Sequence, residues 1–208
     1  MQKYLTEFIG TFFLVFTVGM TVMSPGASAM APLAIGSALM IMVYAGGHIS
    51  GGHYNPAVTL AVWLRGRCPT ADVLPYWISQ IIGAGVAGVL VTLLKGDPKM
   101  LPPDIQIVPS LIAEFVGTFA LAYVVLNVAT AKATAGNSNY GLAIGFTVMT
   151  MAFAVGSISG GAFNPAVATG ITIMQLEKAG NLWVYFVAEG CAGVLAAFVF
   201  KIVNPEDK

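Results

Sequence analysis

The chain has 208 residues, only 9% of them charged, a formal net charge of zero and a mean hydropathy of +0.83. A water-soluble domain carries about 25% charged residues, so these few cannot cover a water-facing surface, and the chain reads as a membrane protein. Zero net charge gives no sign of a nucleic-acid or acidic partner.

The opening stretch MQKYLTEFIGTFFLVFTVGM is apolar from near its start. It lacks a basic leader and a small-residue cleavage site, so it reads as a first membrane span rather than a removed signal peptide. Six windows are long enough to cross, at about 4–22, 31–49, 72–94, 109–130, 140–157 and 181–202. Nineteen residues at 1.5 Å each cover ~28 Å, close to the ~30 Å hydrocarbon core.

Between the second and third windows lies HISGGHYNPAVTLAVWLRGR, and between the fifth and sixth SISGGAFNPAVATGITIMQLEK. Each begins with glycines, which hold a helix poorly, then reaches proline at the favoured first helical position. The apolar stretches that follow, 56–66 and 165–175, give ~16 Å of helix, half a bilayer. Each is therefore expected to dip in and leave on the side it entered.

The two segments are 109 positions apart, and TEFIGTFFL (Thr6–Leu14) matches AEFVGTFAL (Ala113–Leu121) at an offset of 107. The chain thus reads as one membrane channel domain, 1–208, built from repeats at 1–98 and 105–208. Three spans plus a half-span per repeat force the copies into opposite orientations. The half-helices then meet near the midplane, N-terminus to N-terminus. Lys3, Arg65, Arg67, Lys132, Lys201 and Lys208 fall on the side of the termini, and Lys95, Lys99 and Lys178 on the other. The positive-inside rule places both termini in the cytoplasm.

Non-helical backbone at membrane depth is tolerated where it is buried in protein or lines a watery cavity. The Gly-rich legs, His48–Tyr54 and Ser157–Phe163, are expected to offer a ladder of carbonyl acceptors. Asn55 and Asn164 take the N-cap positions, with side-chain oxygens accepting backbone N–H bonds and amide NH2 groups free to donate into a lumen. Two helix N-termini, each with roughly half a positive charge, repel cations and hydronium. Such a site suits small neutral molecules. A lone Asn-Pro-Ala is usually only a helix cap; two, each after Ser-Gly-Gly and before a half-span, are a far more specific signal.

On GHISGGHYNPAVT and the repeated EFxGTF segments the chain resembles the aquaporin (major intrinsic protein) family, along essentially its whole length. The resemblance implies an all-α bundle of six tilted transmembrane helices and two re-entrant half-helices. It also implies one pore per subunit, a homotetramer, and pore residues Asn55, Pro56, Ala57, Asn164, Pro165 and Ala166. Most water-selective members place an Arg after the second Asn-Pro-Ala, beside an aromatic and a His. Ungapped matching puts the four filter positions at Ile35, Ala152, Gly161 and Val167, so charge, donors and bulk are all reduced. In this the sequence is similar to vacuolar-membrane aquaporins with NPAV, some of which pass urea, ammonia and hydrogen peroxide besides water. The pattern of glycerol facilitators, Arg followed by Asp, is not met, although glycerol could pass by width alone.

Glu7 and Glu114 occupy matching places in the first and fourth spans. They are expected to anchor the re-entrant loops through backbone N–H bonds rather than to carry protons. Glu189, where the family more often has Pro, aligns with Gln80. A buried acid there could be kept protonated and hydrogen-bonded or face a neighbouring subunit, and it reads as structural packing rather than a proton site. His48 is placed in the cytoplasmic vestibule, and neither it nor His53 has the partners of a metal site or a dyad. Cys68 and Cys191 read as unpaired, and the small residues of Ile82–Gly88 and Gly190–Gly193 as helix-packing sites. The loop Lys95–Val108 reads as a plain connector.

These readings predict a passive channel for water and small neutral solutes in the lipid bilayer, most simply the cell membrane, with no cofactor, metal or enzymatic chemistry. Two other classes remain: a secondary transporter, since inverted repeats occur there too, and a closed-pore junctional protein.

Overall fold

The computed structural model describes residues 1–96, 102 and 104–207. Lys99, Pro103 and Lys208, and the expected end of the first repeat at 98, lie outside the described residues. The helices are α1 (Gln2–Val22), α2 (Ala31–Ser50), α3 (Pro56–Leu64), α4 (Thr70–Lys95), α5 (Ile107–Val125), α6 (Tyr140–Ser159), α7 (Pro165–Ile173) and α8 (Leu182–Val203). Six segments are long and apolar enough to cross a membrane, each at or near its sequence window: α1, Ser28–Ser50, α4, Ile107–Thr130, α6 and Ala179–Val203. The two half-helices have nine residues each, or ~13 Å of rise.

Helices α1–α4 and α5–α8 repeat one another. The pair α1/α4 packs like α5/α8, α1/α2 like α5/α6, and α2 crosses α6 between the halves. Each half-helix leans on the other repeat: α3 lies against α8, and α7 against α4 and α1. The halves therefore cannot separate without exposing both half-helices.

Packing is set by small residues where backbones approach. A Cβ on Gly36 would fall 2.6 Å from the Gly145 carbonyl oxygen at the α2–α6 crossing. In the two small-residue segments, Gly83 faces the Phe8 carbonyl and Gly193 the Ala57 carbonyl, each at 2.6 Å from such a Cβ. Gly190 meets nothing within 4 Å, so among the described residues that position is not a packing contact.

Polarity is arranged opposite to that of a soluble protein. Leu5, Ile78, Leu93 and Phe198 are exposed, while Glu7, Gln80, Glu114 and Glu189 are completely buried. Cys68 is buried and Cys191 exposed, and neither is bonded among the described residues.

Candidate functional site

Helices α2 and α6 run further than the sequence suggests. Both continue to the serine of Ser-Gly-Gly and stop at a left-handed glycine, Gly51 (φ 88°) or Gly160 (φ 91°), whose N–H closes on the carbonyl of Gly47 or Gly156. Glycine adopts this conformation without the penalty a Cβ would bring. The non-helical legs are thus 51–54 and 160–163, not the longer His48–Tyr54 and Ser157–Phe163 expected from the sequence.

The next departure involves aromatic residues. Tyr54 (φ 49°) and Phe163 (φ 50°) hold left-handed backbones, a conformation that costs bulky residues of order 1–3 kcal/mol. Buried carboxylates hold the legs that carry them. Glu7 Oε1 accepts from Ser50 Oγ at 2.7 Å and from the His53 N–H at 3.0 Å, and Oε2 accepts from the Tyr54 N–H at 2.6 Å. Glu114 repeats this with Ser159 Oγ at 2.6 Å, Ala162 at 3.0 Å and Phe163 at 2.7 Å. The two rings lie over Gly10 and Gly117, where any side chain would collide with them. Tyr76 and Tyr185 tie down the helix ends, donating to the Ser50 carbonyl at 2.8 Å and the Ser159 carbonyl at 2.5 Å.

Beyond each aromatic, asparagine caps a half-helix. Asn55 Oδ1 accepts from Ala57 and Val58, and Asn164 Oδ1 accepts from Ala166, with Pro56 and Pro165 at the first helical positions. The amide groups are not wholly free, as the sequence reading had them. Asn55 Nδ2 donates to the Phe163 carbonyl at 2.9 Å, and Asn164 Nδ2 to the Tyr54 carbonyl at 2.8 Å. Each keeps one amide hydrogen, and two carbonyls of the expected ladder are already taken. The left-handed aromatics turn those carbonyls across the junction between the repeats.

A cavity of about 290 Å³ lies at this junction. Its lining brings together Asn55, Asn164 and all four candidate filter residues, Ile35, Ala152, Gly161 and Val167. The rest of its lining is aliphatic or glycine apart from Pro32 and His53; among the described residues no Lys, Arg, Asp or Glu contributes. Ala57 and Ala166 are buried just behind the asparagines and do not line it.

A larger cavity of about 840 Å³ contains His48 with Lys3, Arg67, Asp72 and Lys132. His53 and Val125 line both cavities, so the two are neighbours. His53 Nδ1 lies 3.1 Å from Thr59 Oγ1. Among the described residues no group of three His, Cys, Asp or Glu could hold a metal ion.

The sequence reading pairs Glu189 with Gln80 but does not give what they hold, and it does not single out Tyr76 and Tyr185. Gln80 donates to Glu7 Oε2 at 2.8 Å and to Thr59 Oγ1 at 3.0 Å, while Glu189 accepts the Asn164 backbone N–H at 2.8 Å. The signal was present, since both pairs, Gln80/Glu189 and Tyr76/Tyr185, recur at the 109-residue offset of the Asn-Pro-Ala segments.

Known proteins share this arrangement at several levels. The family model described as Major intrinsic protein matches residues 1–200. A glycerol uptake facilitator protein-like 6 from Lactiplantibacillus plantarum is 38% identical, over 100% of both chains. Aquaporin NIP1-1 of Zea mays is 35% identical over 100% of this chain and 76% of its own length. Aquaporin Z of Rhodopseudomonas palustris is 33% identical over 99% and 94%. The crystal structure of the aquaglyceroporin from Plasmodium falciparum superposes with a TM-score of 0.82 at 22% identity, covering 98% of this chain and 97% of that one, and so shares the fold.

Proposed function

This chain belongs to the major intrinsic protein family, whose members are passive channels and not enzymes, and on that premise we propose that its pore runs through the cavity at Asn55 and Asn164. It conducts water together with small neutral solutes such as urea, ammonia or hydrogen peroxide, and it rejects ions and protons.

The observation that carries this reading is the lining of the narrower cavity. Ile35, Ala152, Gly161 and Val167 provide no charge and no side-chain donor. A lumen with a fixed guanidinium holds water by strong donation; one lined this way admits wider and less polar molecules. On this point the filter resembles that of vacuolar-membrane members of the family. Ion rejection then falls to the positive ends of α3 and α7 and to the one free amide hydrogen on each asparagine. A passing water that accepts from both has no lone pair left to relay a proton.

Residues 1–208 serve as one channel domain in this reading, with one pore per subunit of a homotetramer in the cell membrane and both termini in the cytoplasm. Glycerol passage is the second reading, favoured by the filter's lack of bulk and by the name of the Lactiplantibacillus relative.

Stopped-flow light scattering on proteoliposomes, with water, urea, ammonia, peroxide and glycerol in turn, tests the proposal. Linear flux with low activation energy for water and at least one solute is the expected result. Saturable, gradient-driven uptake would point to a transporter, and no flux at all to a closed junctional protein.

A further inference from the structure

The two halves treat one equivalent position differently. In the first, Glu7 has four donors: Ser50 Oγ, the His53 and Tyr54 N–H groups, and Gln80 Nε2. In the second, Glu114 has three, from Ser159, Ala162 and Phe163. The residue 109 positions after Gln80 is Glu189. The two carboxyls take consecutive N–H groups of one turn, Glu114 that of Phe163 at 2.7 Å and Glu189 that of Asn164 at 2.8 Å, with both side chains at 0% exposure. Glu189 Oε1 accepts from the Asn164 N–H at 2.8 Å, and Oε2 is buried with no donor.

An ionised carboxylate only accepts. Two of them side by side, wholly buried and with no Lys, Arg or His in ion-pair range among the described residues, cannot both keep their charge. One proton on Glu189 Oε2 would supply the donor that Glu114 lacks. The surroundings also favour an acid over an amide. Gln80 spends its second amide hydrogen on Thr59 Oγ1 at 3.0 Å, but the residue 109 positions after Thr59 is Ala168. An amide at 189 would have a buried hydrogen with nowhere to go; a carboxylic acid has only one hydrogen to place.

We propose that Glu189 is a neutral, positioning acid: Oε2–H donates to Glu114, Oε1 takes the Asn164 N–H, and the pair carries one proton and one negative charge. The second Asn-Pro-Ala turn is thereby fixed from behind, and the positive end of α7 faces a single anion rather than two.

Infrared spectroscopy and thermal melting of the full-length protein at neutral pH test this without reference to which solutes pass, so its failure is separable from failure of the pore assignment. The wild type shows a protonated-carboxyl C=O band that Glu189→Gln removes. Glu189→Gln also melts roughly 2–6 °C lower, the effect of one unsatisfied buried N–H. Adding Ala168→Thr to Glu189→Gln restores the melting point, because the new hydroxyl takes the spare hydrogen as Thr59 does. A wild type without the band, a band that survives Glu189→Gln, or a double variant no more stable than Glu189→Gln would each overturn the proposal.

Discussion

Asn55 donates its side-chain amide to the carbonyl of Phe163, and Asn164 returns the bond to the carbonyl of Tyr54, at 2.9 and 2.8 Å. Each asparagine therefore caps its own half-helix and clamps the opposite repeat. Replacing either by Ala removes a cap worth about 1 kcal/mol and orphans a buried carbonyl at about 1–3 kcal/mol. The two bonds share one junction, so the losses should couple. Asn55→Ala and Asn164→Ala are each expected to lower the melting temperature, and the double variant to lose less than the sum. Strict additivity in thermal melts would show that the bonds act independently.

Val167 lines the cavity and is nearly buried, at 5% exposure. Val167→Arg would bring a guanidinium and its donors into an aliphatic cavity. Urea or peroxide flux in proteoliposomes should fall sharply while water flux is spared. An equal change in both would reject the placement of the filter at this residue.

Glu7 satisfies four buried donors and holds the strained Tyr54 backbone. Glu7→Ala leaves Ser50, His53 and Tyr54 without this acceptor and Gln80 with only its Thr59 partner, a loss on the order of several kcal/mol at about 1–3 kcal/mol for each orphaned donor. Little folded channel should accumulate, read as loss of the monodisperse peak in size-exclusion chromatography. A Glu7→Ala protein with a wild-type elution profile would mean that the loop is held by other contacts.

At the crossing of α2 and α6, Gly36 faces the Gly145 carbonyl too closely for any Cβ. Gly36→Ala must push the helices apart, an overpacking cost of about 1–3 kcal/mol. Thermal melting should drop accordingly, whereas Gly190→Ala, with nothing within 4 Å, should leave it unchanged.

Asp207 closes a latch near the end of the chain, accepting from Arg65 at 2.5 Å and from the Lys132 N–H at 2.7 Å. Enclosure pushes the Asp207 carboxyl up, but the Lys132 N–H and the Arg65 charge outweigh it and hold it below its ordinary value. A carboxyl depressed in the folded state stabilises the fold fully above its unfolded value of about 3.9. That contribution is lost as pH falls through the lower folded value. Melting temperatures should therefore owe nothing to this group's titration between pH 5 and 8 and should drop in stronger acid. Asp207→Asn should show the deficit already at pH 7 and respond less to acid.

Most of the fold could be read from the chain alone. Window lengths set the six spans, Gly-Gly followed by Asn-Pro set the half-helices, and the 107–109-residue offset set the inverted repeat. The site was legible in part. Asn55, Asn164, Glu7 and Glu114 stand out because repetition marks them, and Ile35, Ala152, Gly161 and Val167, the candidate filter positions, line one cavity. The left-handed Tyr54 and Phe163 did not stand out, because nothing local favours that conformation in an aromatic residue. It is held by carboxylates 47 and 49 positions away in sequence. The end of α2 was likewise misplaced, because either glycine of the pair could have stopped the helix.

What the sequence determined by itself was membrane residence, the count of crossings and the pairing of the halves, since these follow from apolar length and periodicity along one chain. The tertiary structure alone decided where each amide hydrogen and carboxylate oxygen goes. The asparagine amides are satisfied across the repeats, by partners 108 and 110 positions distant, and the buried glutamates by donors 25 to 73 positions away. Hydrogen bonds of that kind leave no trace in local spacing.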